Sequence, residues 1–562
     1  MMTEKKKQKF KMLVEKDVSI PLKDGAILCS NIFRPNSNEF FPVVMAMGAY
    51  GKDVHFRDAY NNQWETLQKI YPEIDKNGST GRYIRWENVD PERWVPDGYV
   101  VITVQSRGTG KSPGYLDPYS PQETADYAEA INWAGQQPWS NGRVGLLGVS
   151  YFATKQWQVA ALKPKHLAAI IPWEGCNDFY REWGRHGGIR ARFPIDWWPR
   201  QILPNQHGNG NNPYRDASTG GPTNGPDLNP QTLSNNRTDF PSATLHHPLE
   251  DDWYLDRTPD FDQITVPLLS AANWGGSGLH LRGNVEGFLQ AKSQNKWLSF
   301  HIGTHYESFY LPKYVAIQKK FFDKYLKNID NGWETEPAVR LEIRTIKGTH
   351  LRKENTWPLS KTEWQKWFLD AETQSLSTAE PDNGSSRPYL ALEQRVSFST
   401  SPFNADTEFT GPLMAHLKME TTTTDLDIFV TLRLIDPAGK EVTFVGAHEV
   451  TPVTRGWLRA SQRHIDPARS THYRPYHTHD RIEKLLSGQV VSLYVEIWPT
   501  SIICPKNYRL VLTVQGHDFE YSEPGRMLHD DNIDRPPQEF GGINTIHTGG
   551  ISPSFLLLPY IP

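Results

Sequence analysis

Near-continuous apolar runs separated by helical patterns constrain this chain more than any other feature. They occupy residues 43–47, 99–104, 144–149, 167–171, 266–272 and 297–302. A strand with one wet face alternates apolar and polar residues; a strand covered by helices on both faces does not. The runs therefore predict a parallel sheet with helices on both sides, an α/β domain. Residues 123–134 predict one covering helix. Another should follow Ser150 and stop near Pro164.

The rhythm breaks in three places. Between 176 and 261, Trp, Gly and Arg are dense up to Arg200, and Pro, Asn and Gly dominate from Pro204 to Pro241. That is too long for a loop in a compact domain and predicts an inserted, partly irregular cap. Residues 52–92 predict a second, smaller insertion. Beyond about residue 336, short mixed segments at 426–434, 490–496 and 508–514, with turn signals such as Asp436-Pro437-Ala438-Gly439, predict an antiparallel β-sandwich. A length of 562 residues suits several domains: a core at 1–175 and 262–335, a cap at 176–261 and a sandwich at 336–562.

Composition narrows the function. A formal charge of −4 offers no basic footprint for nucleic acid. Cys29, Cys176 and Cys504 match neither a disulfide framework nor a zinc motif. The charged start lacks an apolar leader segment, and no run of about 18 apolar residues could cross a membrane. A soluble protein of the cytoplasm is expected, with no cofactor or metal, a small-molecule substrate and room for homo-oligomers. The 19 tryptophans build cores and line an apolar pocket.

The sharpest chemical signal is Gly145-Leu146-Leu147-Gly148-Val149-Ser150-Tyr151-Phe152, where a buried strand runs straight into a helix with serine at the junction. This predicts a nucleophile elbow: Gly148 allows the tight turn, and the Tyr151 N–H faces a developing oxyanion. The competing reading is a serine N-cap. Gly110-Lys111-Ser112-Pro113-Gly114 matches G-x-S-x-G better as text, but Pro113 and Gly114 follow the serine where a helix should begin, so Ser112 is set aside. For the base, His305 lies in a loop leaving the last run of the core, in the chain order of an α/β-hydrolase. His280, in a glycine-rich loop, is its rival, and His301 reads as packed. His472, His477 and His479 read as a surface loop with a weak metal signal.

Taken together, these segments resemble the cocaine-esterase and X-prolyl dipeptidyl-peptidase family of serine hydrolases. The similarity runs through Asp17–Gly25, Arg107–Gly114, Gln137–Gly142 with Gly148–Tyr151, and C-terminal motifs such as Gly456-Trp457-Leu458-Arg459 and Ile546-His547-Thr548-Gly549. The resemblance implies an α/β-hydrolase fold with an inserted cap, then an all-β jelly-roll sandwich. It implies Tyr50 as a second oxyanion donor. The expected activity is cleavage of an ester, or a lactone or amide, through an acyl-enzyme. Acyl transfer, a non-hydrolytic step and a catalytically dead binding protein are the alternatives.

One departure stands out. Where the family places its aspartate, this chain reads Asn273-Trp274-Gly275-Gly276-Ser277. Glu174, directly after the run at 167–171, is the first candidate for the triad's acid. Glu307 and Asp178 rank behind it, and Asn273 or Ser277 could orient His305 in a dyad.

Overall fold

The computed structural model describes residues 9–447, 450–520, 528–529, 532–551 and 553–562. The charged start at 1–8, read above as lacking a leader segment, lies outside the described residues.

The predicted runs form strands. After β1 (Met12–Pro21) and β2 (Ile27–Pro35), which carry no such run, they begin with β3 (Phe41–Gly48), β4 (Val100–Gln105), β5 (Ser140–Val149) and β6 (Leu167–Trp173). A small hairpin of β7 (Arg185–His186) and β8 (Ile189–Arg190) follows. Then come β9 (Leu268–Asn273), β10 (Lys296–His301), β11 (Val339–Thr345) and β12 (Gly348–Glu354). The large sheet runs β1-β2-β4-β3-β5-β6-β9-β10-β11-β12, parallel from β4 to β11. This is the strand order of an α/β-hydrolase.

Both faces of the sheet are covered, which explains the unbroken apolar runs. Val43, Met45 and Met47 face a cluster with Tyr127, Ile131 and Trp157, from the helices Pro121–Gly135 and Tyr151–Ala161. Val44 and Ala46 face the opposite cluster, with Phe321, Phe322 and Leu326 of the helix Pro312–Lys327. Each fully buried side chain of this kind contributes about 1.5–3 kcal/mol.

Two insertions stand over the carboxyl ends of the strands. The cap joins β6 to β9 through a π-helical turn (Phe179–Gly184), the β7–β8 hairpin and short helices such as Phe193–Trp197 and Phe240–His246. Its Trp183, Trp197, Trp198 and Phe240 join the core of the second face. The smaller insertion joins β3 to β4 and carries the helix Asn61–Ile70.

In the C-terminal unit, Thr407–Thr421 pairs with Val491–Cys504 and Phe555–Ile561, while Asp427–Ile435 pairs with Arg509–Gln515 and Thr454–Arg459. These strands close a jelly-roll sandwich around an apolar core. The hairpin β11–β12, which the composition break at 336 places with the sandwich, bridges the two units: Val339 pairs with Leu298 of the large sheet, and Arg344 pairs with Ile502 of the sandwich. The break marks the end of strand–helix alternation, not the end of the sheet. Val339, Leu341 and Ile343 then pack with Trp274, Trp457 and Trp498 in a cluster joining the two units.

His477 and His479 are not on the surface, contrary to the expectation above; both are buried. His479 Nδ1 lies 2.8 Å from Gln462 Oε1, and its ring packs on Tyr180 of the cap. Burial pushes both imidazoles well below their ordinary range, so they serve as neutral packing groups.

Candidate active site

The strand β5 ends at Val149, and the next helix begins at Tyr151. Ser150 between them has φ 58° and ψ −110°, a conformation that costs a non-glycine residue about 1–3 kcal/mol. The surroundings enforce it. The Ser150 N–H donates to the carbonyls of Trp173 and Glu174, each at 3.1 Å, and its carbonyl accepts from the N–H groups of Ala153 and Thr154. A Cβ on Gly148 would lie 2.5 Å from the Phe152 Cβ, so only glycine fits two residues before the serine. The elbow geometry matches the expectation; a helix cap would instead aim the hydroxyl at the backbone N–H groups of the first turn.

The imidazole nitrogen at the serine hydroxyl is His280 Nε2, 3.1 Å from Ser150 Oγ. His280 precedes the helix Leu281–Gln290 after β9. His305, expected at the hydroxyl, follows β10 as predicted, but its two ring nitrogens face carboxylates. Its Nδ1 lies 2.8 Å from Glu174 Oε2, and its Nε2 lies 3.1 Å from Glu87 Oε1. The place foreseen for His305 beside Ser150 thus belongs to its rival, because Glu87 meets the nitrogen that was to face the serine. The rings of His280 and His305 lie nearly parallel, 14° apart, with centroids 5.1 Å apart.

Glu174 stands at the end of β6, against His305 as anticipated. Its second oxygen accepts from His301 Nε2 at 2.8 Å and from Asn273 Nδ2 at 3.3 Å. His301 is therefore packed, as read, but also braces the carboxylate. Asn273 braces Glu174 rather than orienting His305, and Ser277 lines the cleft described below. The two lower-ranked acids lie elsewhere: Asp178 pairs with Arg181, and Glu307 accepts the Thr304 N–H.

Sequence reasoning missed Glu87. It comes from the insertion between β3 and β4, in Trp86-Glu87-Asn88, where no motif marks it. The available signal was a carboxylate amid aromatic residues. Its carbonyl accepts the Val149 N–H at 3.1 Å, which ties it to the elbow. Glu87, Ser150 and Glu174 all have positive φ, at 61°, 58° and 51°. Strain of this kind clusters where a fold holds groups for chemistry.

The electrostatics follow from burial and pairing. Burial pushes Glu174 up, but the imidazoles of His305 and His301 outweigh it and hold the carboxyl at about 2. Burial pushes His305 down, and Glu174 and Glu87 overcome it, raising the imidazole to about 10. Glu87 is raised by burial against the pull of His305.

Tyr50, after β3, accepts from Trp197 Nε1 at 2.8 Å, leaving its own O–H free to donate. Burial holds this phenol far above its ordinary range, so it stays protonated. Its ring lies 5.5 Å from that of Tyr151. The Tyr151 hydroxyl is turned away, donating to Glu123 Oε1 at 2.6 Å, while its N–H opens the helix, where backbone donors lack intrahelical partners. A cleft of about 270 Å³ leads to His280 between the insertions and the jelly roll, lined by Tyr60, Trp86, Phe193, Trp197, Leu279 and Arg455 among others. Among the described residues, no group of His, Cys, Asp and Glu could hold a metal ion, and no helix is long and apolar enough to cross a membrane.

Comparisons with known proteins agree with this architecture. Residues 24–307 match the model of the X-Pro dipeptidyl-peptidase (S15 family), and residues 331–557 match that of the X-Pro dipeptidyl-peptidase C-terminal non-catalytic domain. The cocaine esterase of Rhodococcus sp. (strain MB1 Bresler) is 22% identical over 98% of each chain. A CocE/NonD family hydrolase from Staphylococcus aureus superposes with a TM-score of 0.84 at 35% identity, covering 98% of this chain and 94% of that one. An aminopeptidase from the marine sediment archaeon Thaumarchaeota archaeon, 15% identical with a TM-score of 0.72 over 100% and 98% of the two chains, shares the fold. With its elbow serine, its sheet order and its jelly roll, the chain belongs to the S15 family of serine hydrolases and is an ester-hydrolysing enzyme.

Proposed function

We propose that Ser150 is the nucleophile of an esterase acting through an acyl-enzyme on a small, largely apolar acyl ester. The observation that carries this reading is the strained Ser150, with its hydroxyl 3.1 Å from His280 Nε2. His280 takes the serine proton as Oγ attacks the carbonyl carbon, then returns it to the departing alkoxide. The Tyr50 O–H and the Tyr151 N–H donate to the tetrahedral oxygen, each contributing about 2.7–4 kcal/mol in the transition state. Water, deprotonated by the same imidazole, then releases the acid and restores Ser150. The aromatic lining of the cleft supports an apolar acyl or alcohol group.

A second reading keeps His305 as the base. It draws on the Glu174–His305 contact of 2.8 Å after the expected strands, and it requires Glu87 to leave Nε2. Labelling with a fluorophosphonate decides between them. Under the first reading, labelling disappears in Ser150→Ala, slows severely in His280→Ala and survives in His305→Gln. Loss in His305→Gln with retention in His280→Ala establishes the second. Labelling that persists in Ser150→Ala refutes both.

A further inference from the structure

We propose that Glu87, His305 and Glu174 together replace the aspartate this chain lacks: two carboxylates share one imidazole and present a single net negative charge to His280, making Glu87 a positioning residue for the base. This rests on the assignment of His280 as the proton acceptor.

The geometry carries the inference. Each ring nitrogen of His305 has a carboxylate oxygen, Glu174 at 2.8 Å and Glu87 at 3.1 Å. The proton on Nδ1 is donated to Glu174. The proton between Nε2 and Glu87 belongs to one or the other. Carboxylate–imidazolium–carboxylate carries a charge of −1, and so does carboxylate–imidazole–carboxylic acid. Wherever that proton sits, the cluster is one negative charge. The ring of His280 lies 5.1 Å away, nearly parallel to that of His305. An imidazolium forms on His280 when Ser150 loses its proton. A lone His305 cation at that distance would oppose it; a cluster with one net negative charge favours it. Without the Glu87 charge, Glu174 and a protonated His305 would cancel.

Burial concentrates the effect. Glu87 is 2% exposed and Glu174 fully buried. Among the described residues, Glu87 Oε2 is buried without a hydrogen-bond partner, while its Oε1 meets His305 Nε2 at 3.1 Å. The other Glu174 oxygen meets His301 Nε2 at 2.8 Å and Asn273 Nδ2 at 3.3 Å, and His301 Nδ1 is buried with no hydrogen-bond partner among the described residues. The other titratable groups around the cleft are Arg192, Asp196 and Arg200 of the cap, Arg455 of the jelly roll, and Tyr50 and Tyr60. Glu87→Gln leaves all of them in place.

The test compares wild type with Glu87→Gln, which keeps the shape and removes the charge. Expected is a kcat lower by about 100-fold, an unchanged KM, and an acid limb of the kcat/KM profile moved down by about one pH unit as His280 loses its stabilising charge. Glu87→Asp should restore part of the rate and of the shift. An acid limb that stays in place with kcat within about threefold overturns the inference. If Glu87→Gln does not fold, NMR of the wild-type enzyme decides: strongly downfield imidazole proton signals at neutral pH, absent in His305→Gln, are expected, and their absence from wild type overturns it. Failure of the underlying reading looks different, because labelling would then no longer need His280.

Discussion

Two serines in this protein sit in glycine-bearing turns after β4 and β5, the two strands that flank β3, and their hydroxyls meet opposite surroundings. Ser112 follows β4 in the better textual match to a nucleophile motif. Its hydroxyl donates to the Gln105 carbonyl at 2.9 Å and accepts from the Cys29 N–H at 2.8 Å. Both of its hydrogen-bonding roles are used on backbone, and Pro113 follows where helix donors would be needed. Ser150 follows β5 with a poorer match. Its backbone bonds hold the strained turn, leaving the hydroxyl to an imidazole. On the proposed reading, reactivity follows from what the backbone leaves unsatisfied, and letter spacing does not report that.

Substitutions sharpen the contrast. Ser150→Ala should lower kcat by about 10⁶-fold, measured on any turned-over ester, with fold retained; residual activity above a few per cent would break the comparison. His280→Ala should cost about 10⁴-fold or more in kcat, and a rate near wild type would return the base to His305. Tyr50→Phe should cost about 10²–10³-fold in kcat with little change in KM. Ser112→Ala should leave kcat within about threefold yet destabilise the fold by about 1–3 kcal/mol in denaturant titration, because the buried Cys29 N–H loses its acceptor.

The pairing of His305 with its carboxylates also has a pH signature, smaller than these rate effects. His305 is raised from 6.5 to about 10, so the stability it contributes is complete below 6.5 and is lost as pH rises through 10. Glu174 is lowered from 4.5 to about 2, so its share is complete above 4.5 and is lost as pH falls through 2. These are two views of one interaction and are counted once. The stability gap between wild type and His305→Gln should be widest between pH 4.5 and 6.5 and narrow by pH 10. A gap equal at pH 6 and pH 10 would remove the imidazolium from the account.

Much of the molecule could be read before folding it. Apolar runs with no polar alternation require two covered faces, and that requirement alone led to the parallel sheet, its covering helices and the insertions where the pattern stops. Ser150 was legible because strand, glycine and helix start are all local. Glu174 was legible because it ends a strand whose neighbours were known. That β11 joins the large sheet to the sandwich was not legible, because nothing in a strand's own residues marks the two partners it pairs with.

Local sequence thus determined the elbow, the strand ends and the residue types waiting there. Only the tertiary structure decided which imidazole meets Ser150 and that Glu87 enters the site at all. Glu87 lies 63 positions before Ser150 and 218 before His305 in the chain, and the encounter depends on how an insertion without motif or period packs over the sheet. Burial then sets the protonation of these groups, and burial belongs to the packed molecule, not to any stretch of its chain.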